Sequence, residues 1–420
     1  MSTMRQFLLF PLLLLATPVL ATAQSAASSS SKRRQPEDWQ NELVQWLESK
    51  PNGYFSNKIA WQKTPELGDS YNMYAAEDIP KDETLMIIPQ AALIGSASTH
   101  EGYQMGDQCL TVRNMMREYE KGKDSEYYPY IRYLFGGHEG GTSTGLLPAT
   151  WSDKGKALLN LIVGTDLEPS NFNKWDFFRK CQHVFQPGEI QAMDEATKQR
   201  YFDADVFWLS RSWDDKMVPI LDMINHRNGK WFNVEHTSTH IGEDVRVFAY
   251  RDIAKGEQLH NSYNECYEET CSFGAIKYDY VTQHILKDYG FVEAYPRRFV
   301  FHVDANGEEY DEDQYLSVEI DEDSEDPSKR VFDWHFLTPS EAQLQWIRRQ
   351  LKHLLSVEEE VEKGAEELTS EHEKNTILTF HRAYKEAFEL SLIHKDDPVS
   401  TKTTYEIFDD EDYDENGEEL

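Results

Sequence analysis

The sequence predicts an α+β fold, in which a region of short β-strands is interrupted by a helical insert and followed by C-terminal helices. Strand-like runs separated by tight turns occupy residues 54–89 and return over residues 216–303. Between them, apolar side chains recur three and four positions apart, which is typical of amphipathic helices. Because the strand pattern stops and then resumes, it indicates one domain over residues 39–303 with a helical insert at about residues 100–212.

The individual elements follow from local spacing and turn residues. A first helix is predicted over residues 39–50, and the turn Ile79–Asp82 precedes a β-prone run at Leu85–Ile88. Apolar spacing predicts helical segments in the insert over residues 127–134, 154–163, 175–185 and 203–213.

A mainly helical C-terminal domain is predicted over residues 304–400. Its first part, residues 304–326, is rich in Asp and Glu and is expected to be exposed. Thr338–Glu341 has proline and acid at positions that favour a helix start, and a second helix is predicted over about residues 375–392. Residues 401–420 form an acidic tail, for which a solvated segment is favoured over a partial calcium loop.

Residues 1–23 have the pattern of a secretory signal peptide. Arg5 provides the positive start, Phe7–Leu15 the apolar run and Ala21–Ala23 a small-residue cleavage site. We expect delivery to the ER lumen or secretion, with a plastid reached through the secretory route as an alternative. Residues 24–38 are Ser-rich, so they are predicted to be a flexible linker or a transit-like segment. No later run predicts membrane insertion after cleavage.

Composition excludes some classes of function. The formal net charge is −33, whereas nucleic-acid binders need basic faces, so a nucleic-acid partner is not expected. The excess of acid favours either a basic protein partner or simply a soluble surface.

The cysteines at positions 109, 181, 266 and 271 fit no zinc spacing, and no metal site is predicted. A Cys266–Cys271 bridge and free buried thiols are both compatible with the sequence. The oligomeric state is left open.

Three motifs in a fixed order carry most of the functional signal. They are Asn225-His226, Asn261-Ser262-Tyr263 and Tyr289-Gly290-Phe291. Their order resembles the second half of a SET domain. Further segments resemble the SET methyltransferases of the Rubisco large-subunit lysine methyltransferase type, which includes the actin-histidine methyltransferase; these segments read YYPYIRYLF, SRSWDDKMVPILDMINHRNG and HFLTPSEAQLQWIRRQL. The resemblance covers most of residues 54–393.

The resemblance implies a SET domain split by a helical insert and followed by a helical substrate-binding domain. It also implies S-adenosylmethionine as the cofactor and methyl transfer to a lysine, or a histidine, of a protein substrate. By resemblance, Tyr263 lies beside the transferring methyl group and Tyr289 belongs to the segment that closes over the channel. The residues that the resemblance assigns to cofactor binding are Arg211, Asp222, Asn225, His226, Gly290 and Phe291.

Simpler structural roles are also open for these residues. The two tyrosines could belong to an ordinary core, Asn225-His226 could cap a turn, and Arg211 could form a surface ion pair.

Some positions differ from the family pattern. Ser70-Tyr71-Asn72 stands where the family has Gly-x-Gly, whose glycines let the backbone approach the cofactor closely. Larger side chains there are expected to lower the affinity for S-adenosylmethionine. An inserted segment, residues 265–283, also separates Tyr263 from Tyr289 and is expected to shape or block the path of the substrate. The alternative is therefore a catalytically silent SET-like scaffold that binds a protein partner.

Overall fold

The computed structural model describes residues 36–64, 70–95, 108–136, 146–164, 174–237, 243–264, 280–303, 316–322, 326, 329–335 and 338–399. Its helices are α1 (Pro36–Glu48), α2 (Gln108–Lys121), α3 (Tyr128–Phe135), α4 (Asp153–Val163), α5 (Lys174–Lys180), α6 (Glu189–Ala192), α7 (Glu195–Arg211), α8 (Thr282–Tyr289), α9 (Glu341–Glu366) and α10 (Glu371–Ile393). Its strands are β1 (Tyr54–Phe55), β2 (Ile59–Thr64), β3 (Ser70–Ala75), β4 (Thr84–Ile88), β5 (Ser212–Trp213), β6 (Lys216–Met217), β7 (Asn225–His226), β8 (Val234–His236), β9 (Val245–Ala249), β10 (His260–Asn261), β11 (Arg297–Phe301), β12 (Leu316–Glu322) and β13 (Arg330–His335).

The predicted α+β class, with an insert and C-terminal helices, is confirmed. Helices α3 and α4 begin and end within one residue of the predicted bounds. Helix α9 follows the predicted start, because the Ser340 side chain accepts a hydrogen bond from the Gln343 N–H and Gln343 returns one to Ser340. Helix α7 begins earlier than predicted, at Glu195, because Asp194 caps it.

Helix α8 was missed, since residues 216–303 were expected to contain only strands and turns. It has eight residues and places Tyr289 at its last position. Only its inner face is apolar, with Ile285 and Leu286 fully buried. A single short apolar pair does not distinguish a helix from a strand.

Pairing between short strands brings distant motifs together. Strands β1, β4, β9 and β8 form an antiparallel sheet, and β2 and β3 form a hairpin beside it. Strands β7 and β10 pair in parallel, with His260 opposite Asn225 and Asn261 opposite His226. Tyr263, two residues beyond β10, therefore lies next to the Asn225-His226 motif.

Two large apolar clusters form the core. One joins the four-stranded sheet to α1, α2, α3 and α7. The other joins α4, α9 and α10 to a sheet of β11, β12 and β13. This second sheet extends across residue 303, where the sequence analysis places a domain boundary, and α4 of the predicted insert packs against the C-terminal helices. The division into domains stays a prediction.

The expectation that residues 304–326 are exposed is wrong for β12. Leu316, Val318 and Ile320 are fully buried in that strand. Their alternation with more polar residues is the pattern of a strand with one apolar face. Residues 304–315 lie outside the described ranges.

A disulfide joins Cys109 in α2 to Cys181, which follows α5. The alternative of free thiols is therefore wrong for this pair, while Cys266 and Cys271 lie outside the described residues. The predicted signal peptide and the acidic tail lie outside them as well. In the part of the chain that is described, no helix combines the length and the apolar composition that a bilayer span requires.

A buried carboxyl group in α7 gives a pH-dependent stability prediction. Burial raises the pKa of Asp205 to about 6, although Gln108 Nε2 donates a 2.6 Å hydrogen bond to it. An unfolded carboxyl group titrates near pH 4, so the folded state holds this proton more tightly. The stability that this proton provides is complete below about pH 4 and is lost as the pH rises through about 6.

At pH 8, we expect the free energy of unfolding of Asp205→Asn to exceed that of the wild type by on the order of 2 kcal/mol. At pH 4, the two free energies of unfolding should be similar. Urea denaturation at both pH values measures this. The exposed carboxylate Asp124, changed to Asn, is the matched control and should show little effect at either pH. If Asp205→Asn changes the free energy of unfolding by the same amount at pH 4 and pH 8, the raised pKa of Asp205 is contradicted.

Candidate functional site

A cavity of about 190 Å³ collects most of the predicted site residues. It opens between α1, β2, β3, the end of α7 and the segment that follows α8. Of the eight predicted residues, those that line it are Arg211, Asp222, Asn225, Tyr263, Tyr289 and Phe291. The other lining residues are Trp39, Trp61, Tyr71, Asn72, Tyr133, Leu146, Ser210 and Met223. Segments as distant in the sequence as Trp39 and Phe291 therefore meet at one place.

Tyr263 is fixed at both ends. Its backbone N–H donates to His226 Nδ1 at 2.9 Å, and its hydroxyl donates to the Ile224 carbonyl at 2.7 Å. The Tyr289 ring lies 4.5 Å from the Tyr263 ring between centroids, and the Phe291 ring lies at 6.5 Å. Burial raises the pKa of both tyrosines well above 10, so both hydroxyl groups stay protonated at neutral pH. The Tyr263 proton points at a carbonyl, which leaves the oxygen lone pairs for another group.

Arg211 and Asp222 form a buried pair on the cavity wall. Arg211 Nη1 donates to the Asp222 carbonyl at 3.0 Å and lies 3.4 Å from Oδ2, and Tyr130 donates to the same Oδ2 at 2.7 Å. The side chains of Arg211 and Asp222 are 12% and 0% exposed, so the alternative of a surface ion pair is wrong. Burial raises the pKa of Asp222 to about 6, against the opposing effect of Arg211. The wall therefore carries a cationic group in a setting of low polarity.

Asn225 is held by Asn72, the last residue of the Ser70-Tyr71-Asn72 segment. Its Nδ2 donates to Oδ1 of Asn72, which is 2% exposed. The amide that the resemblance assigns to the cofactor is thus already bonded inside the protein. The Asn72 side chain also occupies space, and the cavity is smaller than the roughly 300–1,000 Å³ of typical ligand pockets.

His226 and Gly290 are next to the cavity and do not line it. The His226 side chain is 3% exposed and lies behind Tyr263, with Nε2 2.7 Å from Glu293 Oε1. Gly290 ends α8 with a φ of 80°, and an added Cβ would lie 2.2 Å from the Leu146 carbonyl oxygen. Glycine is required there by the backbone conformation and by this close approach.

Two features of the site were not predicted from the sequence, an aromatic wall and a buried acid. The Trp39 ring lies 5.1 Å from that of Tyr133 and 6.2 Å from that of Trp61. Helical spacing marks Trp39 as an inward residue, but local sequence does not name its partners. Glu293 is 1% exposed and contacts His226, and no local signal indicates that an acid at this position is buried.

Comparison with known proteins agrees with the geometry. Residues 70–264 match the family model of the SET domain. Among curated proteins, none matches the chain. A crystal structure of the SET domain of LSMT bound to lysine and AdoHcy is similar, with 12% identity and a TM-score of 0.48, over 86% of this chain and 93% of that chain. A structure of Rubisco LSMT bound to AdoMet has 13% identity and a TM-score of 0.49, over 85% and 93%. The family match bears out the resemblance found in the sequence over residues 70–264, which match the SET domain.

Proposed function

We propose that the chain is an S-adenosylmethionine-dependent protein methyltransferase of the Rubisco large-subunit lysine methyltransferase type. The acceptor is a lysine side chain of a protein, with histidine as the alternative. The observation that carries the proposal is the Tyr263 hydroxyl, held on the Ile224 carbonyl in a cavity that is lined by aromatic rings and by the Arg211 guanidinium.

The residues of the cavity fit the cofactor by their chemistry. Arg211 is suited to its carboxylate, because a guanidinium can donate two parallel hydrogen bonds. Asn225 and Asp222 offer polar groups on the same wall, and Phe291 offers an apolar surface near the closing segment. Asn72 opposes the fit, since it takes up both space and the Asn225 amide. When bound, the cofactor supplies an electrophilic methyl group.

The tyrosines orient the acceptor rather than take its proton. Both have a raised pKa, so neither is a base near neutral pH. Their rings and Phe291 exclude water, and a lysine ammonium loses its proton more readily in such surroundings. The Tyr263 oxygen can then accept hydrogen bonds that align the nitrogen lone pair with the methyl carbon. A cofactor held by Arg211 and Asn225 would supply the methyl group, with the carbon–nitrogen bond forming as the carbon–sulfur bond breaks.

The partner is proposed to be a basic protein. A net charge of −33 attracts a positively charged surface and accelerates the encounter with it. The predicted signal peptide would place this partner in the secretory pathway, or in a plastid reached through it.

One observation favours the silent-scaffold alternative. The bond between Asn72 and Asn225 pairs a buried amide oxygen with the half-buried Asn225 amide without any ligand. A protein that only binds a partner through its helical regions could keep such a closed cavity.

Transfer of a labelled methyl group tests the proposal. The protein is incubated with S-[methyl-³H]adenosylmethionine and fractionated basic proteins, and labelled products are hydrolysed. Label recovered as methyllysine supports the main proposal, and label recovered as methylhistidine supports the alternative acceptor. The absence of both cofactor binding and transfer by folded protein would favour the scaffold.

A further inference from the structure

Glu293 is a buried carboxylate surrounded by hydrogen-bond donors. It lies two residues after Phe291, beyond the matched SET region, and is 1% exposed. Its Oε1 accepts from Asn228 Nδ2 at 2.9 Å and from Asn264 Nδ2 at 3.2 Å, and it lies 2.7 Å from His226 Nε2. Its Oε2 accepts from the Thr282 hydroxyl. Because a buried charge without such partners is costly, this cluster is built around the acid.

The contacts of His226 define its tautomer. Nδ1 lies 2.9 Å from the Tyr263 backbone nitrogen, which can only donate. Nδ1 must therefore carry a lone pair, and the ring hydrogen must be on Nε2. Nε2 then donates to Glu293, which can only accept when ionised. With the hydrogen on Nδ1 instead, the bond to the Tyr263 N–H would be lost.

Through these contacts Glu293 reaches three consecutive residues. Its link to Tyr263 passes through His226. A second link passes through Asn228, whose Oδ1 accepts from the Ser262 hydroxyl at 2.8 Å. The third is its direct bond to Asn264. The Tyr263 backbone N–H and the side chains of both its neighbours are thus linked to one carboxylate.

We infer that Glu293 is a positioning residue for Tyr263, because it holds His226 in the neutral tautomer that carries its hydrogen on Nε2. This role rests on the proposed function in so far as Tyr263 serves methyl transfer. The tautomer itself is independent of any activity. Glu293 does not line the cavity, so it acts on Tyr263 through His226, Asn228 and Asn264.

Two substitutions separate the hydrogen bond from the volume of the side chain. Glu293→Gln keeps an oxygen that can accept from His226, and Thr282 can turn its hydroxyl into an acceptor. Glu293→Met is similar in size but accepts no strong hydrogen bond. Since a hydrogen bond to a charged group contributes about 1.5–3 kcal/mol, we expect kcat of Glu293→Met to fall by about 10- to 100-fold. Glu293→Gln should stay within several-fold of the wild type, and both should bind S-adenosylmethionine as the wild type does.

The direct readout is ¹⁵N NMR of histidine-labelled protein, with the His226 signals assigned by their loss in His226→Gln. The inference expects neutral His226 with hydrogen on Nε2 in the wild type and Glu293→Gln, and loss of that state in Glu293→Met. A wild-type His226 that is doubly protonated, or that carries its hydrogen on Nδ1, overturns it. So does a Glu293→Met protein with unchanged His226 signals.

If the wild type transfers no methyl group, the proposed function fails, yet these spectra still decide the role of Glu293. If Glu293→Met does not fold, the wild-type spectrum alone decides.

Discussion

Tyr263→Phe is expected to reduce the rate of methyl transfer by about 10²- to 10³-fold, the usual effect of removing one oriented polar group from a reacting centre. The substitution deletes the hydroxyl that donates to the Ile224 carbonyl and leaves the ring among Tyr289 and Phe291. Affinity for the cofactor should change little, because the hydroxyl acts on the acceptor. Single-turnover transfer and calorimetric titration measure the two effects separately.

Tyr74→Phe is the matched control for this substitution. Tyr74 lies in β3, where its hydroxyl donates to Gln258 at 3.3 Å, and it does not line the cavity. It should leave transfer unchanged. Equal rates for Tyr263→Phe and the wild type would remove Tyr263 from the reaction and leave it as a packing residue.

Replacing Asn72 is expected to increase the affinity for S-adenosylmethionine. Asn72→Ala removes the acceptor that holds the Asn225 amide and frees space in a cavity of about 190 Å³. Because the lost bond is worth about 0.5–1.5 kcal/mol net, affinity should rise by up to about tenfold from this term alone. The Asn72→Gly protein should bind S-adenosylmethionine more tightly still. Glycine in a strand should also reduce stability at β3 by about 0.5–1 kcal/mol.

Asn72→Asp is the control, since it keeps the size of the side chain and an oxygen that accepts from Asn225. It should not gain affinity. Calorimetric titration of the three variants gives the ranking. If Asn72→Ala and Asn72→Gly bind no more tightly than the wild type, then Asn72 is not what limits the cofactor site.

Elements with local signals could be predicted from the sequence, and elements set by long-range pairing could not. Helix α9 was placed correctly because Ser340 and Gln343 cap it within four residues. The two-residue strands β7 and β10 have no such signal, because each is defined only by the other. For β12, the acidic composition of its surroundings outweighed the apolar alternation of Leu316, Val318 and Ile320.

The candidate site shows the same division. Its members could be named from the three motifs and from the segment SRSWDDKMVPILDMINHRNG, and six of the eight do line one cavity. The hydrogen-bond partners of these residues could not be predicted. That the Asn225 amide bonds to Asn72, and that His226 turns towards Glu293, depends on side chains from β3 and from the segment after α8. Such contacts arise only once the chain has folded.

The most direct test of the central claim is calorimetric titration of the protein with S-adenosylmethionine, beside Asn225→Ala. A cofactor site at this cavity predicts binding by the wild type that is weakened at least about tenfold in Asn225→Ala, since the substitution deletes the amide that would hydrogen-bond to the ligand. Binding should be largely kept in Tyr263→Phe. The absence of binding by wild-type protein that is shown to be folded would contradict the claim and leave the partner-binding scaffold as the better account.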